Sequence, residues 1–545
     1  MDNGDHNGLV SECRVPILTY ASAGGAGSQG QGSPVGEAGV GSRGAGKVAG
    51  WTPLLVVAAA VTALGSALPV GYNIGVINTP AAIIKVFCNE SVAAHYGGDL
   101  GDTQLEVLWS IIVSVFLVGG MTGSMSGGWA ADRIGRRGAI GATIVLNLVA
   151  ASMFVACKAT NSVELLLLAR LVVGFSSGLS TSVVPMYLTE LAPIHLRGAL
   201  GVVCPLGINI GVLAGQFAGL DWMLGTADSW HQLLALFGPM SLVGGLLVPV
   251  LPESPKYLFL VRGEEERGVR ELARIRRQPE ERLSEELRAM RMASKDDAQA
   301  EAKEPQQGEW TAARVLRAPE LVLPLLLVCA LQAGQQLSGI NAVFYYSNSV
   351  FRTAGLNDVQ TQYATLGCGC VNLATSLLAL PLVNGCGRRV LMLLSTLSAC
   401  LCLVLLGTSI MTINSISWMP YVAIASVLLY VLVYGLGMGP IPYFIGSELF
   451  DVGPRPIGMA LGSLSNWGGN FIVGMSFPTI QSVIGPASFY VFATITAAQA
   501  ILLKFYLPET KGRDTAEVAD MLRLGFKSKV AKSVKPTTNI QHNSA

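Results

Sequence analysis

The sequence predicts an all-α membrane protein, with twelve membrane-spanning helices in two six-helix halves and a cytoplasmic helical linker between them. Three observations carry that expectation. Of the 545 residues, 51% are hydrophobic and 13% are charged, where an average soluble domain has roughly 25% charged residues. Apolar stretches about 20 residues long, enough to cross a bilayer's hydrocarbon core, recur from Leu54 to Leu507. The polar landmarks between them repeat at a near-constant offset, which divides the chain in two.

Residues 1–50 are rich in Gly and Ser and have no charged segment leading into an apolar core. They read as a disordered cytoplasmic tail and not as a cleavable signal peptide. The first half, 51–261, carries spans at 54–77, 107–129, 138–157, 163–187, 199–219 and 231–251. Gly119, Gly123 and Gly127 lie at the small-xxx-small spacing of close helix contacts. Residues 262–318 form the linker, whose run GEEERGVRELARIRR suits solvated helices on an aqueous surface. The second half, 319–510, carries spans at 320–345, 361–383, 389–411, 418–446, 456–480 and 487–507. Residues 511–545 form a basic tail with Lys527, Lys529, Lys532 and Lys535. Positive-inside topology explains these lysines, and contact with anionic membrane lipid is the alternative.

Orientation follows from Arg133, Arg136, Arg137, Arg197, Arg388, Arg389 and Arg455, which all fall in short loops on one side. By the positive-inside rule that side is the cytoplasm. An even number of spans then puts both termini inside and the loop from Asn78 to Glu106 outside. That loop holds Asn89-Glu90-Ser91, the one glycosylation sequon of the chain. The ten cysteines are scattered, without metal-ligand spacing or an outer cluster, and read as packing residues. No metal, cofactor or nucleic-acid partner is implied, and oligomeric state is not readable.

The duplication shows in the loops. Gly135-Arg136-Arg137 returns as Gly387-Arg388-Arg389, with Arg388 252 residues after Arg136. Glu190-Leu191, followed by Arg197, returns 258 residues later as Glu448-Leu449, followed by Arg455. Pro252-Glu253-Ser254 returns 256 residues later as Pro508-Glu509-Thr510. Repeated halves of this kind build membrane carriers that hold a ligand near the midplane and rock about it.

Inside the bilayer an unpaired amide costs roughly 2–7 kcal/mol, so Gln332, Gln335, Gln336 and Asn341 must face protein or water. At 100° per residue, Gln332, Gln335, Gln336 and Tyr346 spread over about 100°, opposite Leu337, Ile340 and Phe344. Two uses fit that polar face: hydrogen bonds to neighbouring helices, or a ligand site. Ser338-Gly339 in the seventh span, and Gly437, Gly439, Pro440 and Pro442 in the tenth, are helix breakers beside it, suited to a moving gate or to a static kink.

Gly128-x-x-x-Asp132-Arg133-x-Gly135-Arg136-Arg137, PESPKYL at 252–258, QQLSGINAVFYYS at 335–347, GPIPYF at 439–444 and PETKGR at 508–513 together resemble the sugar-porter branch of the major facilitator superfamily. Within that branch the motifs resemble those of the animal facilitative hexose transporters. The resemblance covers about residues 51–515. It implies that Gln335, Gln336, Asn341, Asn372 and Asn466 contact the hexose and that Tyr345 and Tyr346 form an outer gate. It further implies a cytoplasmic latch of Glu190, Arg197, Glu448 and Arg455 with Arg136, Arg137, Arg388 and Arg389. The pairs expected to close between the halves are Glu190 with Arg455 and Glu448 with Arg197. Amides suit a sugar because each hydroxyl both donates and accepts.

Several positions depart from the family pattern. Pro205 stands where the fifth helix carries a sugar-binding Gln, Gly435 replaces a Glu of the tenth helix, and Tyr443 replaces the inner-gate Trp. Gln332-Ala333-Gly334 replaces the triplet associated with glucose preference, and Asn384-Gly385 alters the second loop motif. The identity of the hexose is therefore open, with D-glucose first. Asn73 stands where proton-coupled sugar porters carry Asp, and the spans hold no Asp or Glu near mid-depth, so downhill uniport is expected at the plasma membrane. A proton-coupled symporter working through Arg170 and a sugar receptor with little transport are the alternatives. An enzyme is not expected.

Overall fold

The structure, a computed structural model, describes residues 50–193, 196, 200–284, 286–288, 290–291, 312–342, 351–352, 354–450, 454–513, 515–523 and 525–527. Arg197, Tyr345, Tyr346 and the tail lysines Lys529, Lys532 and Lys535 lie outside the described residues. Among the described residues every regular element is helical. In chain order the helices are α1 (Pro53–Gly75), α2 (Ala81–Tyr96), α3 (Asp102–Ile134), α4 (Arg136–Ala159), α5 (Val163–Leu191), α6 (Val203–Ala218) and α7 (Trp230–Val250). Three short helices of the linker region follow: α8 (Pro255–Leu260), α9 (Glu265–Arg276) and α10 (Ala312–Arg317). The rest are α11 (Pro319–Ala342), α12 (Asp358–Cys386), α13 (Arg388–Met411), α14 (Met419–Leu449), α15 (Arg455–Ile484), α16 (Ser488–Tyr506) and α17 (Thr515–Leu522).

Ten continuous stretches among these residues are long and apolar enough to cross a membrane. One of them, Ile457–Tyr506, is 50 residues long and is two helices, α15 and α16, parted by the turn at Gly485–Ala487. The 16-residue α6 is apolar but short. Together they occupy the twelve positions expected, with the short α6 and the divided run as the two departures from a simple count.

Each half buries its own core. Residues from Leu55 to Ile275 pack in two apolar clusters joined by Trp467 from the other half. Residues from Val315 to Leu522 form a third, joined by Val212. Close approach within the first half is set by glycine. A Cβ at Gly178 of α5 would lie 2.0 Å from the Gly120 carbonyl oxygen, and one at Gly123 of α3 would lie 2.0 Å from that of Phe175. Helix α6 is clamped to α1 in the same way, Gly211 lying against Leu68 O and Gly71 against Ile208 O.

Two stretches expected as an outer loop and a C-terminal tail carry helices. The loop after α1 holds α2, whose mixed sequence lacks a 20-residue apolar run, and Gly97 in a left-handed conformation ends it. The sequon lies within it. The Asn89 Oδ1 accepts the Leu100 N–H at 2.8 Å, and Ser91 is buried with its hydroxyl donating to Asn161 O. The segment after Gly512 contains α17, which turns Val518 and Leu522 into the second-half core.

The duplicated loop landmarks take duplicated geometry. Gly135 (φ 81°) and Gly387 (φ 85°) precede α4 and α13 in the backbone region that glycine favours. Glu253 Oε1 accepts the N–H groups of Arg136 (3.0 Å) and Arg137 (3.2 Å). Glu509 accepts those of Arg388 (2.8 Å) and Arg389 (3.0 Å). A carboxylate at a helix N-terminus satisfies orphan donors and meets the positive end of the dipole. The end of each half's sixth long helix is thereby fastened to the start of its third.

Candidate functional site

The polar face of α11 turns inward, with Gln332, Gln335, Gln336 and Asn341 all buried. Its helix breaks at Ser338-Gly339, where Gly339 has φ 89° and the Tyr430 hydroxyl donates to Ser338 O at 2.8 Å. Helix α14 breaks at Gly437–Pro440 and leaves main-chain carbonyls without helical donors, as proline and glycine require. Gln335 Nε2 donates to two of them, Met438 O at 2.9 Å and Gly439 O at 2.7 Å. Gln332 Nε2 donates to Pro442 O, in the helical segment that follows the break, at 2.9 Å.

Asn466 of α15 is the hub of this network. Its Nδ2 donates to Gln335 Oε1 (2.6 Å) and Gln332 Oε1 (3.0 Å), and its Oδ1 accepts from Gln336 Nε2 (3.1 Å). Asn341 Nδ2 donates in turn to Gln336 Oε1. Four of the expected ligand residues are thus in one uncharged cluster, joined by Gln332. Each amide offers both a donor and an acceptor, so a polyol can replace amide partners without a change of charge.

Asn372 and Tyr443 stand apart from the cluster. Asn372 Nδ2 donates to Asn209 Oδ1 on α6 at 2.9 Å. Tyr443 follows Pro442 on α14, is 43% exposed and takes no part in the cluster. Gly435, where a side chain would press on Thr375 and approach Asn372 Oδ1, borders both groups. Gly334 leaves room for the Gln499 amide of α16, which explains that part of the altered triplet.

Two residues were not anticipated. Asn470, one turn beyond Asn466, is buried with its Oδ1 unpartnered. Asn209 in GVVCPLGINIG is one of two amides, with Gln216, on the apolar helix α6, the same signal that singled out α11. The run Gly174-Phe175-Ser176-Ser177-Gly178 has the GxSxG spacing of a nucleophile elbow, yet it lies mid-helix in α5. Ser176 there donates to Thr143 O and no strand precedes it. No group of three or more metal-ligating side chains occurs among the described residues.

Arg170 is fully buried. Its Nε donates to Ile112 O (3.3 Å), its Nη1 to Asn73 O (3.1 Å), and its guanidinium lies 4.6 Å from the Phe116 ring centre. Two main-chain carbonyls and an aromatic face contact the cation.

The charged residues at the basic end pair differently from expectation. Glu190 binds Arg136 through Nε (3.0 Å) and Nη2 (3.1 Å) and accepts from Ser254 Oγ. Glu448 binds Arg388 Nη2 at 3.2 Å and accepts from Thr510 Oγ1 at 2.5 Å. Arg455 donates to Phe450 O. Each carboxylate is therefore held within its own half, and the expected Glu190–Arg455 pair is not formed. The reason is the helix capping by Glu253 and Glu509, which brings Arg136 and Arg388 onto the nearest glutamate. Arg137 and Arg389 contribute backbone N–H groups to the same caps, and Arg389 Nη2 donates to Lys504 O.

The halves touch elsewhere. Ser124 and Ser463 share a 2.5 Å hydrogen bond, and the Trp467 ring covers Gly120. At the end opposite the arginines, Gln362 Nε2 donates to Asp221 Oδ2 at 2.6 Å.

With that geometry described, the relatives are informative. A family model for "Sugar (and other) transporter" matches residues 58–522. "Solute carrier family 2, facilitated glucose transporter member 1" of Gallus gallus is 38% identical over 482 residues, 88% of this chain and 96% of the relative. Member 3 of Mus musculus is 38% identical over 468 residues, covering 86% and 92%. Among solved structures, the partially occluded inward-open xylose transporter XylE of E. coli aligns at TM-score 0.68 and 23% identity, over 85% of this chain and 100% of that one. The proton:xylose symporter XylE bound to 6-bromo-6-deoxy-D-glucose aligns at TM-score 0.69 and 22% identity, over 86% and 98%. The chain shares the fold of these two structures.

Proposed function

The chain belongs to the sugar (and other) transporter family, and from that premise we propose that it is a facilitative hexose transporter working by alternating access. D-glucose is the first candidate, as the names of the vertebrate relatives suggest. The observation that carries the reading is the uncharged amide cluster of Gln332, Gln335, Gln336, Asn341 and Asn466, carried by the broken α11 and by α15 and held against the carbonyls of the α14 break. Neutral amides hold hydroxyls by direction and number, and a site of this kind need not move charge with its cargo. The chain is an integral, multi-pass membrane protein. We assign the basic end to the cytoplasm of a plasma-membrane protein, with Asn89 outside and available for glycosylation. Tyr345 and Tyr346 would close above the sugar, and Tyr443 below it. The clusters around Glu190 and Glu448 are parts of the cytoplasmic latch, to which Arg197 and Arg455 would contribute as the halves move.

Proton-coupled symport is the second reading, favoured by the buried Arg170 and by the solved neighbour described as a proton:xylose symporter. Uptake of labelled glucose and fructose into proteoliposomes, with and without a proton gradient and ionophore, separates the two. Saturable flux indifferent to the gradient is the expected result. Flux driven by the gradient would establish symport, and sugar binding without flux would establish a receptor.

A further inference from the structure

The amides on α11 and α15 belong to the second half of the chain, so a sugar bridging the two halves requires a partner on the first. Helix α6 supplies one stripe of side chains toward α12. Pro205, Asn209 and Gln216 fall on it, at separations of four and seven residues that keep one helical face in register. Pro205 has no side-chain donor or acceptor. Asn209 is half-buried, and its Nδ2 donates to Ser376 Oγ at 2.5 Å while its Oδ1 accepts Asn372 Nδ2 at 2.9 Å. Gln216 is 2% exposed, has neither amide atom partnered, and presses its Oε1 on Gly369, one turn from Asn372 along α12.

We propose that Asn209 is a sugar-contacting, specificity-determining residue, the amide through which the first half holds a hydroxyl of the substrate. The inference rests on the hexose-transporter reading and deepens it. Three features support it. The Asn209–Asn372 bond crosses from one half to the other, where a bound hexose would also have to reach. Gly435 places this pair next to the α14 break whose carbonyls hold Gln335. Asn209 uses one donor and one acceptor on side chains that can yield them, and a sugar hydroxyl offers both in return. Glycine contacts fix the angle: Gly71 and Gly75 of α1 sit against the carbonyls of Ile208 and Val212, so α6 cannot rotate to turn the stripe away. Gln216, left unpartnered while the halves are closed at this depth, marks the seam as one that gains polar partners when it opens.

The test is Asn209→Val in proteoliposomes, with uptake of the transported hexose competed by its monodeoxy analogues. Wild-type protein is expected to discriminate against each analogue that lacks a contacted hydroxyl. In N209V the KM for the parent sugar is expected to rise about three- to tenfold, the worth of one hydrogen bond. One analogue, lacking the hydroxyl that Asn209 holds, is then expected to compete as well as the parent. Ser376→Ala removes the bridge and keeps the amide; it is expected to leave the deoxy pattern as in wild type. Should N209V not be recovered as monodisperse protein, Asn209→Ala, which also lacks a side-chain donor and acceptor, is expected to show the same loss of discrimination. An unchanged KM and deoxy pattern in N209V would overturn the proposal, as would an S376A pattern identical to that of N209V. A wild-type protein without sugar flux would instead remove the reading on which it rests.

Discussion

Replacing Gly178 by Ala tests whether the first half is a rigid unit. The added methyl on α5 would lie 2.0 Å from the Gly120 carbonyl oxygen and 2.6 Å from the Ser124 amide nitrogen, both main-chain atoms of α3. Ordinary contact at such a carbon needs about 3.4 Å, so the helices must part by roughly 1.4 Å, and no side-chain rotamer relieves them. Separation at that point also loosens Gly119, Gly123 and Gly174, whose own Cβ positions fall within 2.3 Å of main-chain oxygens across the same seam. Overpacking of this kind costs about 1–3 kcal/mol, and main-chain contact puts it at the upper end. Thermal unfolding of detergent-solubilised protein, followed by size-exclusion chromatography, is expected to shift down by roughly 5–10 °C. Gly128→Ala on the facing helix α3 is the control, since a Cβ there meets nothing within 4 Å; it is expected to leave the midpoint unchanged or slightly raised. Equal midpoints for the two variants would refute the close α3–α5 seam.

Three further outcomes follow from the site and its supports. Gln335→Leu strands the carbonyls of Met438 and Gly439 and removes one acceptor of Asn466 Nδ2; sugar flux is expected to fall more than tenfold with surface expression retained, and normal flux would move the site elsewhere. Glu253→Ala and Glu509→Ala each uncap one helix, and each is expected to cost about 1–2 kcal/mol in the same unfolding assay; a loss confined to one of them would break the equivalence of the halves. Wild-type flux is expected to be flat between about pH 5 and 8, whereas Asn73→Asp, which sets a carboxylate close to Arg170, introduces pH dependence on the acid side as that carboxylate protonates. A wild-type profile that bends in this range would place a titrating group in the transport path.

The helices were legible because apolar length and loop charge act along the chain, where a sequence displays them. The amide face of α11 was legible for the same reason, since 100° per residue places Gln332, Gln335 and Gln336 together. What holds those amides was not, because their acceptors are carbonyls that exist only where α14 unwinds at Gly437–Pro440. Glu190 was matched with Arg455 across the halves because the family resemblance implies a latch there. The pairing within each half depends on Glu253 and Glu509 folding back from over a hundred residues away. Asn209 was passed over when the expected amide of its helix was sought at position 205 and a proline was found.

The way the amides satisfy one another has a kinetic corollary. A carrier that runs downhill must reorient empty once in every net cycle, and that step closes protein around the unfilled pocket. Each amide left bare there would add about 1–3 kcal/mol to the closed state and slow the return. Gln332, Gln335, Gln336, Asn341 and Asn466 instead exchange sugar for one another and for the carbonyls of the α14 break. The unloaded return is then little more costly than the loaded one, so sugar on the far side of the membrane is expected to accelerate exchange only weakly over net flux.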